Sequence, residues 1–191
     1  MHRRSFLRWC TASTAGATVL GAHAAADPAL LAQLRRGGNI ILMRHAATVP
    51  GIGDPDGFVL TECSTQRNLS EAGRKDAARV GAEFSRLGVP VADVQSSRWC
   101  RCLDTARLAF GRVTEAPLLD SLFQVDADAK ARKVQSARTW MASLRATGNI
   151  VLVTHDVNIR ALTDRYVEQG EMVVATVADG GPLRVAGVWK P

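Results

Sequence analysis

Residues 39–44 read Asn-Ile-Ile-Leu-Met-Arg, a short continuous apolar run that follows Gly37-Gly38. Such a run suits a strand buried on both faces of a parallel sheet. Ile150-Val151-Leu152-Val153-Thr154, after the turn Thr147-Gly148-Asn149, is the clearest example in the chain. Val91 to Ser96 predicts another strand, and residues 113–116 a short one. Between them the period changes. Ser70 is placed to cap a helix with Glu71 in its first turn, and Ala77, Val80, Gly81 and Phe84 form its apolar stripe up to Gly88. Further helices are predicted over Trp99 to Phe110, Lys130 to Ala146 and Val157 to Tyr166. Met172 to Val177 and Leu183 to Trp189 predict two last strands, joined through Asp179-Gly180-Gly181. Residues 46–66 and 117–129 show no period; irregular stretches this long in compact domains usually carry function.

Alternating strands and helices predict an α/β fold with a mostly parallel central sheet. Ligands of such sheets bind at the carboxyl ends of the strands. Three polar sets sit there: Arg44-His45, Ser97 to Arg101, and His155-Asp156.

A chain of 191 residues suits one domain, and 47% hydrophobic with 22% charged residues suits a packed core. No apolar run approaches the roughly 18 residues that span a membrane. No repeat or biased tract appears.

The formal charge of +6 is partly a property of the first residues. Arg3-Arg4-Ser5-Phe6-Leu7-Arg8 precedes a weakly apolar stretch from Thr11 to Gly21 and small-x-small sites around Ala24. That layout predicts a secretory signal peptide over 1–24, cleaved near 24–26, with 25–191 as the working domain. The paired arginines resemble the twin-arginine export signal, so a periplasmic or secreted location is expected. Setting residues 1–24 aside removes three of the 24 basic residues and none of the 18 acidic ones, leaving +3. That balance, without a basic run interleaved with aromatics, argues against nucleic acid as a partner, and no stable membrane anchor is expected. Three cysteines then remain, Cys63, Cys100 and Cys102. Their spacing is not a metal-binding one. In an oxidising compartment Cys63 is expected to pair with Cys100 or Cys102.

Two histidines each follow a buried strand, and arginines accompany both. Arginines clustered at the mouth of a sheet suit an anion, and phosphate takes two-pronged guanidinium contacts well. A neutral imidazole can attack phosphorus. With no Gly-rich phosphate loop and no carboxylate set for Mg²⁺, phosphoryl transfer without metal or cofactor is expected.

Leu42-Met43-Arg44-His45-Ala46-Ala47-Thr48 resembles the Leu-Val-Arg-His-Gly-x-Thr opening of the histidine phosphatase superfamily. Asn68-Leu69-Ser70-Glu71-Ala72-Gly73 resembles its Leu-Thr-x-x-Gly helix start. Ser96-Ser97-Arg98-Trp99-Cys100-Arg101-Cys102 through Ala106 resembles Ser-Ser-x-x-x-Arg-Ala-x-x-Thr-Ala, and Val151 to His155 the strand ending in Ser/Thr-His. The four lie in register over residues 38–165. The resemblance implies a three-layer α/β/α sandwich of the phosphoglycerate mutase-like fold and hydrolysis of phosphate monoesters through a phosphohistidine. His45 would be the nucleophile, and Arg44, Arg101 and His155 would hold the phosphoryl oxygens. Arg98 and Thr48 would assist at the substrate. The proton donor would be Asp156, as in branches whose strand ends His-Asp, or Asp120, nineteen residues after Arg101, or absent where the leaving group is already good. Ala46 replaces the usual Gly and is tolerable at negative φ; Cys102 replaces a packing Ala. The substrate would be a phosphorylated small molecule or an envelope glycan. Phosphohistidine phosphatases and lipopolysaccharide core heptose phosphatases are the alternatives within the family. A phosphate-binding protein without catalysis is the alternative outside it.

Overall fold

The computed structural model describes residues 27–177 and 182–191. The export segment expected over 1–24 with its cleavage near 24–26, and the turn expected at Asp179-Gly180-Gly181, lie outside the described residues. The elements in chain order are α1 (Pro28–Arg36), β1 (Ile40–Arg44), α2 (Glu71–Arg86), β2 (Val91–Ser96), α3 (Cys100–Phe110), β3 (Thr114–Glu115), α4 (Ala127–Ser143), β4 (Asn149–Thr154), α5 (Asp156–Thr163), β5 (Met172–Val177) and β6 (Leu183–Trp189).

The strands form one sheet in the order β3-β2-β4-β1-β5-β6. β3, β2, β4 and β1 run parallel, β5 pairs antiparallel with β1, and β6 antiparallel with β5. Helices cover both faces, which makes the expected three-layer sandwich. Ile41, Met43, Val151 and Val153 pack with Leu34 of α1, Phe84 of α2 and Ala106 of α3. Ile40, Leu42, Ile150 and Leu152 pack on the other side with Met141 of α4 and Ile159 of α5. Because β1 and β4 are buried on both faces, their sequences run apolar without alternation. Each fully buried Leu or Ile side chain there contributes about 1.5–3 kcal/mol.

Helix α1 is not among the elements the pattern predicts. Its signals are local and complete: the Asp27 carboxylate accepts from the Ala29 N–H at 3.0 Å, Pro28 opens the helix, and Arg35 and Arg36 close it. Leu30 and Leu34, one turn apart, supply the buried face. Helix α4 begins three residues earlier than expected because Asp126 caps it through the Ala129 N–H. Helix α5 stops at Thr163 rather than Tyr166, since Asp164 adopts the left-handed conformation and its N–H closes on Arg160 O.

The sheet brings the three polar sets together. Arg44 and Thr154 are register partners on adjacent strands. The His45 N–H continues the ladder to Thr154 O at 3.0 Å, and the Ser97 N–H reaches Val153 O at 2.9 Å. The start of α2 docks on the loop that follows His45: the Ser70 N–H donates to Ala47 O at 3.0 Å. A Cβ on Gly73 would lie 1.9 Å from that same carbonyl oxygen, so only glycine fits in this helix start.

Candidate active site

His45 is held from both sides of its backbone, with Gly170 N–H donating to its carbonyl at 3.1 Å. Its ring is buried, and Nδ1 lies 2.8 Å from Ala46 O. Only a protonated Nδ1 makes that hydrogen bond, so Nε2 carries the free lone pair. Burial pushes the His45 pKa down to about 3; the Ala46 carbonyl opposes this, and the positive charges of Arg101, Arg44 and Arg67 add to it. The imidazole is therefore neutral at any ordinary pH, as a nucleophile must be. Ala46 is absent from the positive-φ residues, which among the non-glycines described are Gln124 and Asp164. Its methyl group in place of glycine costs no backbone strain.

His155 caps α5, and its ring centroid stands 5.6 Å from that of His45, edge to face. Its Nε2 meets Ser97 Oγ at 3.0 Å, and its Nδ1 lies 3.5 Å from Arg101 Nη2. Burial, followed by the charge of Arg101, holds its pKa well below the usual range. Cys102 packs beneath it, Sγ 3.6 Å from Nε2, with its thiol pushed up to about 12 by burial.

The arginines are tied down in a common manner. Arg44 donates through Nη1 to Val167 O at 2.9 Å. Arg101 donates through Nη1 to Asp54 Oδ1 at 2.6 Å. In both, Nε is buried and has no hydrogen-bond partner. In a guanidinium, Nε and Nη2 share one edge, the edge that grips a carboxylate or phosphate with two parallel bonds. Both forks are therefore anchored at the back and open at the front. An unpartnered buried donor costs about 1–3 kcal/mol, a cost that an anion bound between the forks removes. Arg67 adds a third positive charge, its Nε on Gly53 O at 2.7 Å and its Nη1 on the Thr48 hydroxyl.

These groups line one end of a cavity of about 560 Å³. Asp156 lies on the same wall, at the first position of α5, and its carboxylate makes no hydrogen bond or ion pair among the described residues. Asp120 is placed differently. It is buried and spent on Arg98, accepting from the Arg98 N–H at 3.0 Å and from its Nε at 2.8 Å and Nη2 at 2.5 Å. Neither Arg98 nor Asp120 lines the cavity. Arg98, expected to assist at the substrate, and Asp120, a candidate proton donor, satisfy each other, and the pair braces the start of α3. Thr48 accepts from Arg67 Nη1 and from Gln169 Nε2 at 3.3 Å, two side chains that line the cavity.

Sequence reasoning missed Asp54 and Arg67. The Asp54 side chain is 7% exposed, and its carboxylate accepts from Arg101 Nη1, from the Arg67 N–H at 3.0 Å and from Trp99 Nε1 at 2.9 Å. Burial raises its pKa, but the hydrogen bonds from Arg101, Arg67 and Trp99 outweigh this and hold it below the usual carboxylate range. Arg67 stands directly before the Asn68-Leu69-Ser70 helix start, the one local hint that it belongs with the motif. The loop carrying both is fastened to α3 by a disulfide between Cys63 and Cys100, Cα atoms 5.6 Å apart, while Cys102 stays a buried free thiol. Among the described residues no cluster of His, Cys, Asp and Glu is arranged to hold a metal ion, and no helix is long and apolar enough to cross a membrane.

No family model and no curated protein matches the sequence. Solved structures do match the fold. A candidate phosphohistidine phosphatase, SixA of Agrobacterium tumefaciens, aligns with a TM-score of 0.52 at 16% identity over 81% of this chain and 99% of its own. A phosphoserine phosphatase of Entamoeba histolytica aligns at 0.56 and 15%, over 78% and 95%. A candidate alpha-ribazole-5'-phosphate phosphatase of Escherichia coli aligns at 0.57 and 20%, over 77% and 95%. These are members of the histidine phosphatase superfamily. The chain shares their phosphoglycerate mutase-like fold.

Proposed function

We propose that this chain, built on the fold of the histidine phosphatases, is itself a phosphatase that hydrolyses phosphate monoesters through a phosphohistidine at His45. The observation that carries the reading is the pair of buried, unpartnered Nε atoms on Arg44 and Arg101, which line the same cavity as a neutral His45. A tetrahedral dianion satisfies both forks at once. His45 Nε2 attacks phosphorus, an N–P bond forms and the ester P–O bond breaks. The leaving alkoxide takes a proton from Asp156. The resulting carboxylate then removes a proton from water, the hydroxide attacks phosphorus, the N–P bond breaks and inorganic phosphate leaves. Arg44, Arg101, Arg67 and His155 hold the phosphoryl oxygens, on which charge accumulates. That charge is met by the chain's own guanidinium groups, so turnover is expected to persist in EDTA.

The same reading places the enzyme outside the cytoplasm, periplasmic or secreted, with 1–24 as its export label and 25–191 as its working part. The Arg3-Arg4 leader supports this, as does the Cys63–Cys100 bridge, a bond that oxidising compartments sustain. The substrate is then a phosphate ester met in the envelope or beyond it.

The test is His45→Ala. Turnover of p-nitrophenyl phosphate falls to background with the circular dichroism spectrum intact. In the unmodified enzyme, phosphate label quenched without acid is recovered on His45. Full activity in the variant ends the reading.

A further inference from the structure

The far end of the cavity differs from the end that holds the arginines. Arg44, Arg67 and Arg101 are the cations of its lining, and no lysine joins them. The rest of the lining includes Ile52, Phe58, Trp99, Phe123 and Val157, with the carboxylate of Asp56 among them. The wall is assembled from both irregular stretches of the chain. Gly53 in the first has φ +71°, and its Cβ position lies 3.2 Å from the Phe123 ring in the second, so the two meet over the site. Phe58 stacks near Trp99 at 5.8 Å between centroids, and Trp99 meets His155 at 5.4 Å. The aromatic run thus starts at the phosphate end and leads out to the mouth. Ile52 is 92% and Phe123 46% exposed, the two most solvent-facing large apolar groups of that mouth.

A cavity of about 560 Å³ is sized for a whole drug-like molecule, within the usual range of about 300–1,000 Å³, far more than one phosphoryl group needs. What fills the rest is the alcohol of the ester. We infer that this alcohol is a flat or bulky apolar group, aryl above all, that carries no second anionic substituent. The inference rests on the phosphatase reading and adds to it the class of leaving group. Two features carry it. Apolar rings and Ile52 lose water-exposed surface only against an apolar occupant. A second phosphate or carboxylate would meet the Asp56 carboxylate, with every cation of the lining already committed to the first phosphate. Like charges in a partly enclosed site are repelled, and that repulsion sets specificity.

The experiment compares three aryl esters on the mature protein: phenyl phosphate, 2-naphthyl phosphate and 4-carboxyphenyl phosphate. The KM of the naphthyl ester is expected about fivefold or more below that of phenyl phosphate, and that of the carboxyphenyl ester about fivefold or more above. Phe123→Ala shrinks the naphthyl advantage to less than twofold. Ile52→Lys, at a fully exposed position, places a cation at the mouth and lowers the KM of the carboxyphenyl ester about threefold or more. Equal KM values for the three esters, or a preference for the carboxylate, with turnover intact, overturn this inference and leave the phosphatase standing. No turnover of any ester by folded protein overturns both.

Discussion

Removing the Asp54 carboxylate tests whether the active site depends on a residue that touches no reacting atom. Asp54 and Arg101 form an ion pair whose side chains are 7% and 5% exposed. Asp54→Ala leaves three donors without their acceptor: Arg101 Nη1, the Arg67 N–H and Trp99 Nε1. Breaking a buried ion pair from one side costs about 3–5 kcal/mol. Trp99, half-buried at the cavity wall, regains water and adds little. The expected loss of unfolding free energy is therefore about 3–5 kcal/mol, a large share of the roughly 5–15 kcal/mol that holds a domain together. Asp54→Asn keeps an acceptor oxygen of the same shape and loses the charge, so about 1–3 kcal/mol is expected there. The asparagine variant separates anchoring from folding. With Arg101 no longer gripped at Nη1, its open edge ceases to be fixed toward the phosphate. A loss of about 2.7 kcal/mol of transition-state binding is about 100-fold in kcat/KM. Urea denaturation gives the first quantity and steady-state hydrolysis of p-nitrophenyl phosphate the second. Asp54→Glu, longer by one methylene, is expected to recover little, because the carboxylate is bound at three fixed points. An asparagine variant with unfolding free energy within 0.5 kcal/mol and kcat/KM within twofold of the parent would refute the reasoning.

The disulfide closes a loop of sequence separation 37, so reducing it should lower stability by about 4 kcal/mol in the chain-entropy account; equal urea midpoints with and without reductant would contradict this. Cys102 is expected to resist alkylation in native protein and to react only once the chain is unfolded, since its thiol is fully buried and pushed up to about 12. His45 and His155 are held neutral in the fold but gain a proton near pH 6.5 when unfolded, so their contribution to stability is complete above that pH and declines as pH falls toward 3. The Asp54 contribution is lost further down, below the ordinary carboxylate pKa. A thermal midpoint that is flat between pH 7 and 4 would dispose of the histidine assignment, and one that stays flat from pH 4 to 2 would dispose of the Asp54 assignment. Asp156→Asn should slow an alkyl phosphate about 10²–10⁴-fold and p-nitrophenyl phosphate far less, because p-nitrophenolate leaves unaided. Asp120→Asn should cost stability through Arg98 and leave that ratio unchanged, and the reverse pattern would make Asp120 the acid.

What the sequence alone determined is the part of the protein governed by local pattern. β1 and β4 are continuous apolar runs because a strand covered on both faces has no side for a polar residue, and this is visible in six consecutive letters. Ser70 caps α2 through a bond to the N–H three residues on, a contact that is as local as the residues that make it. Arg44, His45 and His155 follow from the same logic, since a parallel sheet delivers the residues after its strands to one edge whatever the connections do. Tertiary structure decided what depends on chain segments meeting from afar. Asp54 lies 47 residues from Arg101 in an aperiodic loop, and only the closed loop turns one acid among several into the anchor of the Arg101 guanidinium. The antiparallel course of β5 beside β1 rests on the return of the chain after α5, which no hydrophobic period encodes. Cys100 and Cys102 were equal candidates for Cys63 by spacing. They point to different sides of α3, one toward the loop and one under His155, and that difference in direction selects the bridge. Arg98 and Asp120, 22 residues apart, become partners only once the chain is folded, because a carboxylate taken out of water needs a cation and donors beside it.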